Sequence, residues 1–248
     1  MDLGISGRTA LVTGASSGIG QALVQRLSGQ GLEVHALARR EDRLSELAAS
    51  TGCTPLALDL RDTDALYSRL ENQRYDILIN NAGLGRGYDS LAAASRDDIE
   101  RTIETNVTAA VHILRALLPG MIERQCGHVV NVGSITGLYP MPFALYAASK
   151  GALHLLSQSL RMELKGSAVR CTEICPARVR TEFFATAFDD PHKAAAAAEG
   201  FELLEPVDIA NAIYYALDAP WRVNVSTIEI TPTEQYIGGV HTEPVKRP

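Results

Sequence analysis

The chain has 248 residues with 29 acidic and 23 basic side chains and a formal net charge of -6, which suits one sizeable α/β domain and supplies no basic footprint for nucleic acid. No apolar run reaches the ~20 residues of a bilayer span, and residues 1–8 lack the charged and apolar regions of a signal peptide, so the expected compartment is the cytoplasm. Cys53, Cys126, Cys171, Cys175 and six scattered histidines complete no tetrahedral ligand set, so no metal and reduced, buried thiols are expected.

Strands alternate with helices from the start. Thr9-Ala10-Leu11-Val12 reads as a short buried strand running into Thr13-Gly14-Ala15-Ser16-Ser17-Gly18-Ile19-Gly20, after which Ile19, Leu23 and Leu27 share a helix face. Glycines at such a turn let the backbone approach a pyrophosphate, which sits where free N–H groups point out of the helix N-terminus. A tight glycine turn without a ligand is the alternative. The second strand, 33–38, ends in Arg39 and Arg40, ahead of a helix over 41–49. An acid there would bond the ribose hydroxyls of NAD, whereas two guanidiniums suit the 2′-phosphate of NADP unless Asp42 pairs with one of them.

A third strand over 54–60 carries Asp59 near its end, where open α/β sheets bind ligands, although the side chain could instead cap the turn. A helix is expected over 62–72. The fourth strand, 75–79, runs into Asn80-Asn81-Ala82-Gly83, two amides able to bond adjoining loops beside small residues that leave room for a flat ring. In the long helix expected over 96–124, Asn106 lies among Ile103, Val107 and Ala110, so its amide must find partners or cost about 1–3 kcal/mol. The fifth strand, 128–132, ends at Gly133-Ser134.

Tyr146-Ala147-Ala148-Ser149-Lys150 follows on the next helix. Residues four apart share a face, about one turn and roughly 6 Å along the axis. An adjacent ammonium favours the ionised phenol and lowers its pKa from ~10, suiting it to exchange a proton with an alcohol or alkoxide. Taken alone, a half-buried tyrosine beside a solvated lysine accounts for the spacing equally well. Strand six, 169–174, leads into Cys175-Pro176-Ala177-Arg178-Val179-Arg180-Thr181, and strand seven covers 225–230. Between them, 182–200 with its alanine run 194–198 reads as a substrate lid or as a short surface helix.

Together the glycine loop 13–20, Asp59, the run 80–83, Asn106, Ser134, Tyr146 and Lys150 resemble the short-chain dehydrogenase/reductase family over residues 8–231. The resemblance implies an α/β fold, a single Rossmann domain over 1–248 with a seven-stranded parallel doubly wound sheet. It implies NADP(H), with NAD(H) less favoured, bound by Gly14, Ser16, Ser17, Gly18, Ile19, Gly20, Arg39, Arg40, Asp59, Leu60, Asn81, Ala82, Gly83, Tyr146, Lys150, Pro176, Val179 and Thr181. It also implies Tyr146 as general acid or base and Lys150 as the group that lowers its pKa and bonds the nicotinamide ribose. Ser134 would polarise the substrate oxygen, and Asn106 would hold a water relaying protons to Lys150. Two departures stand out: Pro176-Ala177 where the family usually has Pro-Gly, and Ser17 where many NADP-preferring relatives carry a basic residue.

Within the family, the runs 36–44 and 224–233 resemble a bacterial subgroup of NADP-dependent 3-hydroxy acid (serine-type) dehydrogenases and sulfoacetaldehyde reductases. A small polar substrate would then meet Ser134, Tyr146 and Arg178, with Arg180 as a second cation unless one of the two arginines pairs with Glu182. One alternative is a carbonyl reductase for a bulkier uncharged ketone, lined by 138–143. Another is a non-catalytic NADP-binding sensor, which the complete catalytic quartet disfavours. A small-molecule substrate and other copies of the chain are the expected partners, with neither nucleic acid nor membrane. The family analogy makes the oligomer a tetramer built on two long helices, and 234–248 could pack on a neighbour.

Overall fold

Leu11, Val12, Ile77, Leu78, Ile79, Val129 and Val130 are consecutive along their strands and all fully buried. That pattern belongs to a parallel sheet covered on both faces. In the computed structural model, which describes residues 5, 7–88, 90–197, 199, 201–236 and 242, the sheet consists of β1 (Thr9–Thr13), β2 (Glu33–Ala38), β3 (Thr54–Ala57), β4 (Ile77–Asn80), β5 (Gly127–Val132), β6 (Val169–Pro176) and β7 (Thr227–Ile230). Every pairing is parallel, in the order β3-β2-β1-β4-β5-β6-β7. Strand order reverses between β1 and β4, so a crevice opens at their C-terminal ends.

Helices cover both faces. On one, α1 (Gly18–Ser28), α2 (Glu41–Thr51) and α9 (Pro206–Asp218) pack Leu23, Leu27, Leu44 and Ile213 against Val12, Ile79 and Val130. On the other, α3 (Thr63–Leu70), α5 (Ala109–Glu123) and α6 (Ala144–Glu163) pack Leu66, Ile113, Leu117 and Leu160 against Leu11, Leu78 and Val129. The helix α4 (Arg96–Ile103) leads into α5, and the short α7 (Phe183–Ala187) and α8 (Pro191–Ala196) form the segment expected to be a lid.

The differences from the expected elements have local causes. The strand expected over 54–60 stops at Ala57, because β3 is an edge strand and the chain then turns, with Asp62 N–H donating to Asp59 O. The single helix expected over 96–124 contains a π-turn, Glu104–Thr108. Helix α9 was not anticipated, although Pro206 at its first position and a Glu205/Asp208 capping box are legible start signals. Residues 198 and 200 of the expected lid, and most of the 234–248 tail, lie outside the described residues.

Candidate active site

The glycine loop is shaped by close approach. A Cβ on Gly14 (φ 66) would lie 2.8 Å from Ala82 Cα, one on Gly18 (φ 53) would meet Thr181 Cγ2 at 2.9 Å, and one on Gly20 would collide with Gly14 O. Only glycine fits these three positions, and their bare backbone leaves the N-terminus of α1 open to an incoming phosphate. Thr13 Oγ1 accepts from Asn81 N and Ala82 N, both at 3.0 Å, and Asn81 Nδ2 donates to Thr13 O at 2.9 Å. The loop after β4 is thereby stitched to the glycine loop. Asn80, expected to bond a loop backbone, instead donates to Asn131 Oδ1 at 3.0 Å inside the sheet.

A cavity of ≈ 440 Å³ runs along this edge, lined among others by Gly14, Ser16, Ser17, Gly18, Ile19, Arg39, Arg40, Asp59, Leu60, Asn81, Ala82, Gly83, Ser134, Tyr146, Lys150, Pro176, Arg178, Val179 and Thr181. Gly20 and the buried Asn106, both expected at the site, do not line the cavity. The residues fit a dinucleotide: a backbone cradle at α1, a slot beside Ala82 and Gly83, and cations at the far rim. Those cations are not equivalent. Arg39 is exposed and makes no ion pair with a described residue, whereas Arg40 donates to Ser16 Oγ (3.0 Å), Ser17 Oγ (2.7 Å) and Glu182. Asp59 is gripped by Arg61 Nη2 at 2.8 Å and Nε at 3.2 Å, which holds its carboxyl below the usual range. Sequence reading singled out neither Arg61 nor Arg43.

Tyr146 and Lys150 are both buried, and the Lys150 Nζ lies 5.9 Å from the Tyr146 ring centroid. Lys150 donates to Val132 O at 2.8 Å, and burial pushes its pKa down to about 8. The expectation that Lys150 lowers the Tyr146 pKa is not met in this state: burial drives the phenol above its ordinary value, and the opposing pull comes from Ser134. Desolvation outweighs an ammonium that is spent on a backbone carbonyl.

Asn106 finds the partners its burial demanded. Its Oδ1 accepts from Leu84 N at 2.8 Å, and its Nδ2 donates to Leu84 O at 2.8 Å and Ser149 Oγ at 3.0 Å. Ser149 Oγ in turn donates to Tyr146 O at 2.7 Å. Asn106 sits on the π-turn, a distortion that recurs at functional sites. A Cβ on Gly83 would be 3.4 Å from Asn106 Oδ1 and 3.3 Å from Lys150 Nζ, so the amide and the ammonium both border that glycine.

On the substrate side, Tyr88 stacks on Phe143 (centroids 4.1 Å apart), and Phe183 leans on both Tyr88 and Tyr146. Arg178 is half-buried over the Phe201 ring at 5.1 Å, makes no ion pair with a described acid, and has its pKa lowered by burial. Arg180, expected as a second cation, is exposed and paired with Glu205 at 2.7 Å. Of the stretch 138–143, Met141 and Phe143 reach the cavity, while Tyr139 donates to Glu229 at 2.9 Å. Arg86 bridges Asp98 (2.7 Å) and Asp189 (2.9 Å), which ties the segment after α7 to α4. Between α6 and β6, His154 Nδ1 lies 2.7 Å from buried Glu173, with the Cys175 thiol beside them, a polar cluster not apparent from sequence.

Known proteins place this architecture. The family model described as short chain dehydrogenase matches residues 8–192. The chain is 38% identical over 239 residues to the short-chain type dehydrogenase/reductase y4eK of Sinorhizobium fredii, covering 96% of each chain. It is 37% identical over 241 residues to the NADP-dependent 3-hydroxy acid dehydrogenase YdfG of Escherichia coli K12, covering 93% of this chain and 97% of that one. Among solved structures, the closed form of serine dehydrogenase complexed with NADP+ superposes with a TM-score of 0.89 at 37% identity, covering 95% of this chain and 99% of that one. A Sphingobium yanoikuyae short-chain dehydrogenase in complex with NADPH gives 0.77 at 32% identity, with 89% and 87% covered.

Proposed function

We propose the following activity for a chain that belongs to the short-chain dehydrogenase family: NADP-dependent oxidoreduction between an alcohol and a carbonyl, on a small polar substrate of the 3-hydroxy acid type. Relatives named for NADP and for 3-hydroxy acids or serine support the cofactor and the substrate class. The observation that carries the reading is one cavity shared by the glycine loop, the Ser134, Tyr146 and Lys150 side chains, and Arg178, a cation with no ion pair among the described residues.

When bound, the nicotinamide supplies or accepts the hydride. The backbone at Gly18 and Ile19 would hold the pyrophosphate, Arg39 and Arg40 would serve the 2′-phosphate, and Asp59, Leu60, Asn81, Ala82 and Gly83 would receive the adenosine and the ribose. Pro176, Val179 and Thr181 would hold the carboxamide end, and Lys150 would bond the nicotinamide ribose. Ser134 polarises the substrate oxygen. Tyr146 gives that oxygen its proton during carbonyl reduction and removes it during alcohol oxidation. Asn106 keeps the Leu84 loop and the Ser149 turn in register around Tyr146, and its Oδ1 beside Gly83 supports a proton relay through water to Lys150. Arg178 pairs with the substrate carboxylate.

Arg178→Gln tests the substrate class. The expected result is a KM for a 3-hydroxy acid raised about 100-fold, with little change for an uncharged alcohol of the same size, since a half-buried cation meeting a carboxylate is worth roughly 2–3 kcal/mol. Equal losses on both substrates would contradict it. The walls built from Tyr88, Met141, Phe143 and Phe183 favour a second reading, a bulkier uncharged ketone, which the same comparison separates. The chain would work as one catalytic domain in the cytoplasm, with 182–200 as its lid. A homo-oligomer, by analogy a tetramer, is supported by exposed Val111 on α5 and by Leu155 and Met162 on α6.

A further inference from the structure

A charged knot at the start of the lid ties Arg40 to Glu182, an acid with no part in the chemistry above. Glu182, the residue before α7, accepts from Arg40 Nη1 at 2.8 Å and from Arg43 Nη1 at 2.6 Å. These two contacts hold its carboxyl below the usual range, so it is an anion at neutral pH. The other nitrogens of Arg40 are engaged by the Ser16 and Ser17 hydroxyls at 3.0 and 2.7 Å. One guanidinium thus bridges the glycine loop to the lid across the rim of the cavity. Two guanidiniums around one anion, with hydroxyls alongside, form a donor set suited to a phosphate dianion. Here a carboxylate fills it.

We propose that Glu182 is an internal competitor of the cofactor's 2′-phosphate, a specificity-determining residue that sets how strongly the site prefers the phosphorylated cofactor. The inference rests on the NADP reading. Carboxylate and phosphate are alternative anions for Arg40 and Arg43. A 2′-phosphate arriving beside Arg39 either displaces Glu182 from Arg40, which frees the first residue of the lid, or meets a guanidinium already neutralised. Either way Glu182 weakens the hold on the phosphate, and it leaves a cofactor without that group untouched. Asp59 adds no comparable opposition, because Arg61 neutralises it. The pairs with Glu182 are partly exposed, so the effect is a few-fold and is screened by salt.

Calorimetric titration of 2′,5′-ADP and of 5′-AMP into wild-type protein and Glu182→Gln tests this. Glu182→Gln should bind 2′,5′-ADP about fivefold tighter, bind 5′-AMP within about twofold of wild type, and lose the gain as salt is raised. No tightening, or equal tightening of both nucleotides, overturns the proposal. The wild-type preference for 2′,5′-ADP over 5′-AMP reports separately on the NADP reading. If only Glu182→Gln discriminates, the competitor role stands and the native preference falls; if neither protein discriminates, both fall.

Discussion

Tyr146 and Lys150 share one turn of α6, but burial acts on them in opposite directions. The phenol is pushed above its ordinary value and the ammonium is brought down to about 8. Each shift favours the neutral form, as desolvation must. Lys150 is therefore charged below about pH 8 and neutral above it in the free protein. Carbonyl reduction draws its proton through a group bonded near that ammonium, so kcat/KM for reduction should fall as pH rises through about 8. A profile flat to pH 10 would contradict this role for Lys150. Stability moves the other way: the folded pKa lies below the unfolded value, so the cost of burying the charge is present below about 8 and is relieved as pH climbs toward 10.5.

The π-turn at Glu104–Thr108 shows what an element contributes that a pattern cannot. It turns Asn106 so that one amide closes both polar groups of Leu84 and reaches Ser149. Asn106→Ala should cost about 2–3 kcal/mol of stability, since the Leu84 groups lose their partners. It should also lower kcat by more than that loss explains, because the Ser149 link to the Tyr146 turn goes with it. Urea unfolding alongside initial rates checks both effects, and a stable variant with full kcat would refute the positioning role. The sequence shows Asn106 as a polar residue in an apolar stripe, but not the extra residue in the turn that aims it. The glycine loop, Ser134 and the Tyr146/Lys150 pair were legible as an ordered set that resembles one family, since each taken alone admitted a purely structural reading. The links from Glu182 to Arg40 and Arg43 were not, since their partners stand 142 and 139 positions apart and only the closed fold brings them together. Arg178 and Arg180 look alike in the sequence, and it is the fold that half-buries Arg178 at the cavity and pairs exposed Arg180 with Glu205.

A parallel sheet with helices on both faces leaves its C-terminal edge as the natural ligand crevice, and the oligomer proposed above would form on the outer helices. On α6, Ala148, Ala152, Leu155, Ser159 and Met162 are exposed at three- and four-residue spacing, with Leu155 63% and Met162 80% exposed. Small and apolar residues in such a stripe allow close helix-on-helix packing, and on α5 Val111 and Ile122 extend apolar exposure. The double variant Ala152→Arg, Leu155→Arg should move the mass measured by light scattering from an oligomer toward that of the single 26.7 kDa chain. An unchanged mass would place the interface elsewhere.

The most direct test of the central claim is the initial rate of reduced-cofactor formation as the protein oxidises a short 3-hydroxy acid, with NADP+ and NAD+ compared at equal concentration. The account predicts clear turnover, a higher kcat/KM with NADP+, and a fall in kcat of about 1,000-fold in Tyr146→Phe, the size expected when a general acid or base is removed. Turnover preferring NAD+, or surviving in Tyr146→Phe at the wild-type rate, would contradict it.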